Sequence, residues 1–156
     1  EVPALLAEAT DYTNDDVVRR LAGLIEHLSR ERDTVGILGL SYKPNTDVVE
    51  AAQGLLLAQT LVQDEYQVVV YDPAGMPNAK RILKEGVRFA DNMLDCVQAS
   101  DVLVIATAWD EFRAIKPGDL RKAGRPRAII DAWRILNAEQ FRDVAEFVAL
   151  GKGPLV

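Results

Sequence analysis

Unbroken apolar runs alternate along this chain with stretches of helical period. The runs occupy residues 35–40, 68–71, 102–105 and 128–130, with a weaker one at 87–89. Continuous apolarity over so few residues predicts strands buried on both faces. Between the first two runs, Leu55, Leu56, Ala58, Leu61 and Val62 fall on one side of a helix, and Gln53, Gln59, Gln63 and Asp64 fall on the other. Strand, helix and strand at this spacing predict right-handed parallel crossovers. The expected architecture is a three-layer α/β/α domain with a mostly parallel sheet.

The first thirty residues follow a different rule. Asn14 is placed to cap a helix whose first turn carries Asp15 and Asp16, with an apolar stripe of Val17, Val18, Leu21, Leu24, Ile25 and Leu28. Residues 1–12, with Leu5, Leu6 and Ala9, read as the stub of an earlier helix, so the chain is expected to be cut from a longer one. The division is then a helical lead-in over 1–30, an α/β domain over 31–150, and a flexible tail over 151–156 containing Gly151, Gly153 and Pro154.

Each strand run ends in a polar or aromatic cluster: Ser41-Tyr42-Lys43, Asp72-Pro73, Asp91-Asn92, Thr107-Ala108-Trp109-Asp110 and Asp131-Ala132-Trp133-Arg134. The carboxyl ends of parallel strands share one rim, where ligands of open α/β sheets bind, so the clusters point to one small-molecule site. Pro44 disfavours helical backbone at Lys43 and leaves that lysine extended at the rim. Thr46 or Asp47 is expected to cap the next helix, with Glu50 three residues after Asp47 completing a capping box. Arg134 can clamp an oxygen-rich ligand or stack on a base; its other reading is an ion pair with Asp131 or Asp110. Trp109 and Trp133 are expected to shape the wall.

Gly36 and Gly39 do not complete a dinucleotide fingerprint. The third glycine is missing, and Asp72 stands 36 positions after Gly36, where the fingerprint expects an acidic residue after roughly 20. Small residues that let a helix approach the strand are the plainer reading.

Charge and cysteine usage narrow the classes. A net charge of −6 over 156 residues argues against general affinity for nucleic acid or an anionic membrane. No apolar stretch reaches the roughly 18 residues needed to span a bilayer. The single cysteine, Cys96, rules out an internal disulfide, fits a reducing cytoplasm and reads as a core filler among Met93, Leu94 and Val97. His27 has no partner at metal-ligand spacing, and no metal site is expected. The pairs Asp64-Glu65 and Asp110-Glu111 read as turn and cap residues, and the basic run at 121–127 as a solvated approach to a strand.

Four motifs, in order, carry a family resemblance: residues 36–47 (GILGLSYKPNTD), Val70-Tyr71-Asp72-Pro73, Thr107-Ala108-Trp109-Asp110-Glu111-Phe112 and Ile130-Asp131-Ala132-Trp133-Arg134. Over about residues 34–136 the chain resembles the C-terminal, UDP-binding domain of the UDP-glucose/GDP-mannose dehydrogenase family, a Rossmann-like fold. Residues 1–30 then resemble the helical lead-in from the family's preceding central domain, and 31–150 the nucleotide-sugar (UDP/GDP) binding domain. The resemblance implies an NAD-dependent oxidoreductase that oxidises C6 of a nucleotide-linked hexose to a carboxylate. It implies NAD held mainly by an N-terminal domain, catalytic cysteine and lysine in segments before this one, and a homo-oligomeric full-length protein in the cytoplasm. The substrate it implies is a UDP-sugar or GDP-sugar.

By position, Tyr42 and Lys43 resemble the pair that contacts the nucleotide part of the substrate, and Arg134 the arginine that reaches it from the last strand. Trp109 joins them as a substrate-side residue. Cys96 does not match the catalytic cysteine, so no catalytic residue is assigned and this chain alone is expected to be inactive. Where many members read Asp-Asp-x-Arg-Glu-Ser, this chain has Asp47-Val48-Val49-Glu50-Ala51-Ala52. Glu50 thus occupies the position of an arginine that approaches the cofactor phosphates in relatives, with reversed charge. From another class, a non-catalytic nucleotide-binding or regulatory module with the same fold is the alternative. A receiver-type signalling domain is disfavoured, because no acidic cluster follows the first strand.

Overall fold

The computed structural model describes residues 3–31, 33–83, 85–120 and 127–151. Six strands form one sheet in the order β3-β2-β1-β4-β5-β6. They are β1 (Thr34–Leu38), β2 (Gln67–Tyr71), β3 (Val87–Phe89), β4 (Val102–Ile105), β5 (Arg127–Asp131) and β6 (Ala145–Ala149). Every neighbouring pair is parallel, with Ile37 in register with Val70 and Val104 at the centre.

Alternate strand residues feed two separate cores, which is why the runs are apolar without interruption. Val35, Ile37, Val68, Val70, Val102, Val104, Ala128 and Ile130 face one layer. That layer holds α1 (Pro3–Leu28), α2 (Gln53–Gln63) and α3 (Met76–Ile82), through Val18, Leu21, Ile25, Leu57, Ala58, Leu61 and Ala79. Leu38, Val69, Leu103, Ile105 and Ile129 face the other. There they meet α4 (Met93–Ala99), two 3-10 turns (Asp110–Ala114 and Pro117–Leu120) and α5 (Ala138–Phe141), through Cys96, Val97, Phe112, Leu120 and Phe141.

Two expectations change. The lead-in is one helix of 26 residues, so Asn14 lies inside α1 and does not cap it. No glycine or proline separates Pro3 from Gly23, and one polar residue does not end a helix whose neighbours continue the backbone ladder. The second change is β6, a strand the apolar runs did not predict. It is an edge strand with Glu146 exposed and Phe147, Val148 and Ala149 only half-buried, so its sequence lacks a continuous apolar signal.

The glycines act as close-approach residues. A Cβ on Gly36 would run into Ser100 Oγ beside the end of α4, and one on Gly54 would strike the Gly39 carbonyl. Gly39 itself has φ +99°, and a Cβ there would stand 2.7 Å from the Thr107 backbone nitrogen. Among the described residues, no helix is long and apolar enough to cross a membrane. The basic residues 121–126 and the tail at 152–156 lie outside the described residues.

Candidate nucleotide site at the carboxyl rim

The strand order reverses between β1 and β4: the chain builds outward through β2 and β3, then returns to add β4, β5 and β6 on the other side. The loops leaving β1 and β4 therefore diverge and open a crevice at their carboxyl ends. Sequence clusters far apart in the chain meet there.

The crevice is stitched together by one buried carboxylate. Asp72, 1% exposed at the end of β2, accepts on Oδ2 from the backbone N–H of Leu40 (2.8 Å) and Ser41 (2.9 Å) and from the Ser41 hydroxyl (2.7 Å). The Trp109 indole N–H also reaches this oxygen at 3.3 Å and Ser41 Oγ at 3.1 Å. Oδ1 accepts from the N–H of Ala74 and Gly75, shaping the turn into α3. Burial works to raise the Asp72 pKa, but the Gly75 N–H, the Ser41 hydroxyl and the N–H groups of Ala74 and Leu40 outweigh it and hold the carboxyl below its usual range. Asp72 is an ionised structural node.

The stitching continues across the sheet. Thr107 Oγ1 donates to the Ser41 carbonyl at 2.7 Å, and Trp133 Nε1 donates to the Ala106 carbonyl at 2.8 Å. Asp131, fully buried, accepts from the N–H groups of Trp133 and Leu136 and shapes the loop after β5. Four strand ends, β2, β1, β4 and β5, are thus joined by side-chain hydrogen bonds.

What this scaffold presents is uneven among the residues expected in the site. Tyr42, 65% exposed, and Lys43 project from the β1 loop. The Tyr42 N–H donates to the Val48 carbonyl at 2.8 Å, which closes the loop below them. Trp109 is buried, with its N–H committed to Asp72 and Ser41, so it braces the β1 loop from beneath. Arg134 is exposed with φ 55°, and its guanidinium lies over Gly151, 3.8 Å from where a Cβ on that residue would stand. It therefore stands on the β6 side of the rim, whereas Trp133, half-exposed and leaning onto the end of β4, stands on the crevice side. Trp133 was readable only as wall; its side had no sequence signal.

The cap expected at Glu50 is absent. α2 begins at Gln53, its cap residue is Ala52, and no side chain closes its N-terminus. Ala51 has φ 56°, a left-handed conformation that a helix does not continue, and Val49 and Ala52 are buried as anchors of the loop. Thr46 instead accepts from the Val48 N–H, Asp47 from Asn78, and the exposed Glu50 from its neighbour Val49. The segment between β1 and α2 is a long loop without a tight glycine turn, and it carries a carboxylate toward solvent. These residues do not fit a dinucleotide pyrophosphate.

Other reactive groups are tied down. Cys96 is fully buried, and burial pushes its thiol up to about 12, far from a nucleophile's range. Tyr71 donates to Glu111 at 3.1 Å; burial first, then the Glu111 charge, raises the phenol to about 12. His27 is an exposed residue of α1, and no group of three or more metal-ligating side chains occurs among the described residues.

The family model for the UDP-glucose/GDP-mannose dehydrogenase family, UDP binding domain, matches residues 36–138, a span that contains every rim cluster. The chain belongs to this family. It is 33% identical over 146 residues to a UDP-glucose 6-dehydrogenase of Haloferax volcanii, covering 94% of this chain and 33% of that protein. A UDP-glucose dehydrogenase structure from Pyrobaculum islandicum superposes with a TM-score of 0.66 at 24% identity, over 92% of this chain and 30% of that one. An NDP-N-acetyl-D-galactosaminuronic acid dehydrogenase from Methanosarcina mazei gives 0.73 at 18% identity, over 97% of this chain and 32% of that one. The chain thus spans about a third of its relatives' length, in their UDP-binding domain.

Proposed function

We propose that this UDP-binding domain holds the nucleotide end of the substrate for a cytoplasmic, NAD-dependent nucleotide-sugar 6-dehydrogenase that converts a C6 alcohol to a carboxylate. The observation that carries this reading is the stitched rim, which fixes Ser41, Tyr42 and Lys43 at the reversal of strand order. Lys43 supplies a charge-assisted donor to the ribose or diphosphate, and Tyr42 a neighbouring aromatic contact. Trp109 acts from below by holding the loop. Arg134 joins the site by turning from Gly151 toward the diphosphate.

The cofactor belongs to the other parts of the full-length protein. A loop that lacks the glycine cradle and carries Glu50 offers no stabilising contact to the NAD phosphates, and the one thiol among the described residues, Cys96, is buried in the core. In this reading the other domains of the full-length protein, a homo-oligomer, supply the catalytic groups.

Calorimetric titration of the chain with UDP and with NAD tests the assignment. UDP should bind and NAD should bind more weakly; NAD binding more tightly than UDP would reverse the assignment. Sustained NADH formation from UDP-glucose by the pure chain would show that the catalytic groups were misplaced. Lys43→Ala should lose a charge-assisted bond of about 1.5–3 kcal/mol, which is tenfold or more in affinity at about 1.4 kcal/mol per decade.

A further inference from the structure

Trp133 is the largest side chain left open on the rim, and its environment is unusual for an exposed tryptophan. Its ring is 53% exposed, yet its only polar atom is already satisfied, donating to the Ala106 carbonyl at 2.8 Å. The residue's own N–H is held by Asp131 at 3.1 Å, and Asp131 is itself fully buried. Both the backbone and the indole are therefore anchored, which fixes the plane of the ring without covering it.

The position strengthens the point. Ala106 immediately follows β4, so the indole leans from the end of β5 over the end of β4, toward the crevice that β4 shares with β1. Across that crevice stand Tyr42 and Lys43, on a loop fixed to the same β4 end by the Thr107 hydroxyl on the Ser41 carbonyl. With its donor spent, Trp133 offers an incoming ligand only a π-face. Such a surface discriminates planar and apolar groups and contributes nothing to a phosphate or a hydroxyl donor-acceptor code.

We propose that Trp133 is a ligand-binding residue of the site, a fixed platform on which the nucleobase of a nucleoside diphosphate stacks. The inference rests on the reading of the rim as a nucleotide site and adds the residue that meets the base. Lys43 then takes the ribose or diphosphate end, so ring and charge are read by different strands.

The chain holds two tryptophans, of which Trp109 is buried and Trp133 open, so fluorescence separates the roles. UDP should quench the emission of the wild-type chain, and the quench should vanish in Trp133→Phe while that variant keeps binding within a few-fold. Trp133→Ala should lose roughly tenfold in affinity, since stacking on an aromatic ring is worth about 1–3 kcal/mol per base. UDP alone should quench as fully as UDP-glucose. A quench that persists in Trp133→Phe, an unchanged affinity in Trp133→Ala, or a quench that requires the hexose would each overturn the proposal. Retention of the Lys43→Ala binding defect in those cases would leave the nucleotide reading standing, whereas absence of any UDP binding to the wild type would overturn both. Circular dichroism of each variant, together with calorimetry of the Phe variant, separates loss of the platform from loss of the fold.

Discussion

Asp72 and Asp131 are the same residue type at the same place, the carboxyl end of a buried strand, and both are almost fully buried. Their partners differ. Asp131 accepts from Trp133 and Leu136, both within its own loop. Asp72 accepts from its own turn at Ala74 and Gly75, but also from Leu40, Ser41 and Trp109 on two other strand ends. One carboxylate shapes a loop; the other fixes three loops relative to each other. Burial and residue type alone do not distinguish these roles, because the difference lies in which donors the topology delivers.

The largest effect should come from Asp72→Ala. Several buried N–H donors lose their acceptor at once, each costing about 1–3 kcal/mol when unpaired, so urea unfolding should report a loss of about 3–5 kcal/mol, near the top of the single-mutant range. Asp131→Ala orphans only two donors, both part-buried where water can replace the lost acceptor, so it should lose less, about 1–3 kcal/mol. Equal losses would break the comparison.

The acid limb of the stability curve sharpens it. The Asp72 carboxyl is held below its unfolded value, so its contribution is present above the ordinary carboxylate range, about pH 4. It is lost as pH falls through the lower folded value. Thermal melts of the wild type should drop through that window, and Asp72→Asn, less stable at pH 7, should drop less. A mutant as acid-sensitive as the wild type would assign the acid limb to other carboxylates.

The smallest effect should be at Glu50, a carboxylate that holds no cap. Glu50→Arg should change stability by no more than about 0.5 kcal/mol, as for a surface substitution away from such features. A loss near 1 kcal/mol, the usual cost of removing a cap, would show that Glu50 closes the helix in solution.

The layered fold was legible because each interior strand is covered on both faces: Ile37 meets one core and Leu38 the other, so neither position tolerates a polar residue. β6 escaped for the converse reason, since an edge strand with one open side needs no unbroken run. At the rim, the motif residues were readable, but not their directions. Trp109 and Trp133 look alike in sequence, each following a strand near an aspartate. One is driven under the β1 loop by Asp72 and Ser41, and the other is held open over β4 by Ala106.

By itself, the sequence determined the elements that depend on local period: the alternation of strands and helices, the close-approach glycines, the buried thiol and the family motifs in their order. Only the tertiary structure decided what depends on partners distant in the chain. It extended α1 through Asn14, delayed α2 to Gln53, turned Arg134 toward Gly151 and gathered Leu40, Ser41 and Trp109 onto one carboxylate. Periodicity is a property of neighbouring residues and survives in the sequence. A hydrogen bond from Trp109 to Asp72 spans 37 positions, and its geometry exists only once parallel strands have brought their carboxyl ends to the same edge.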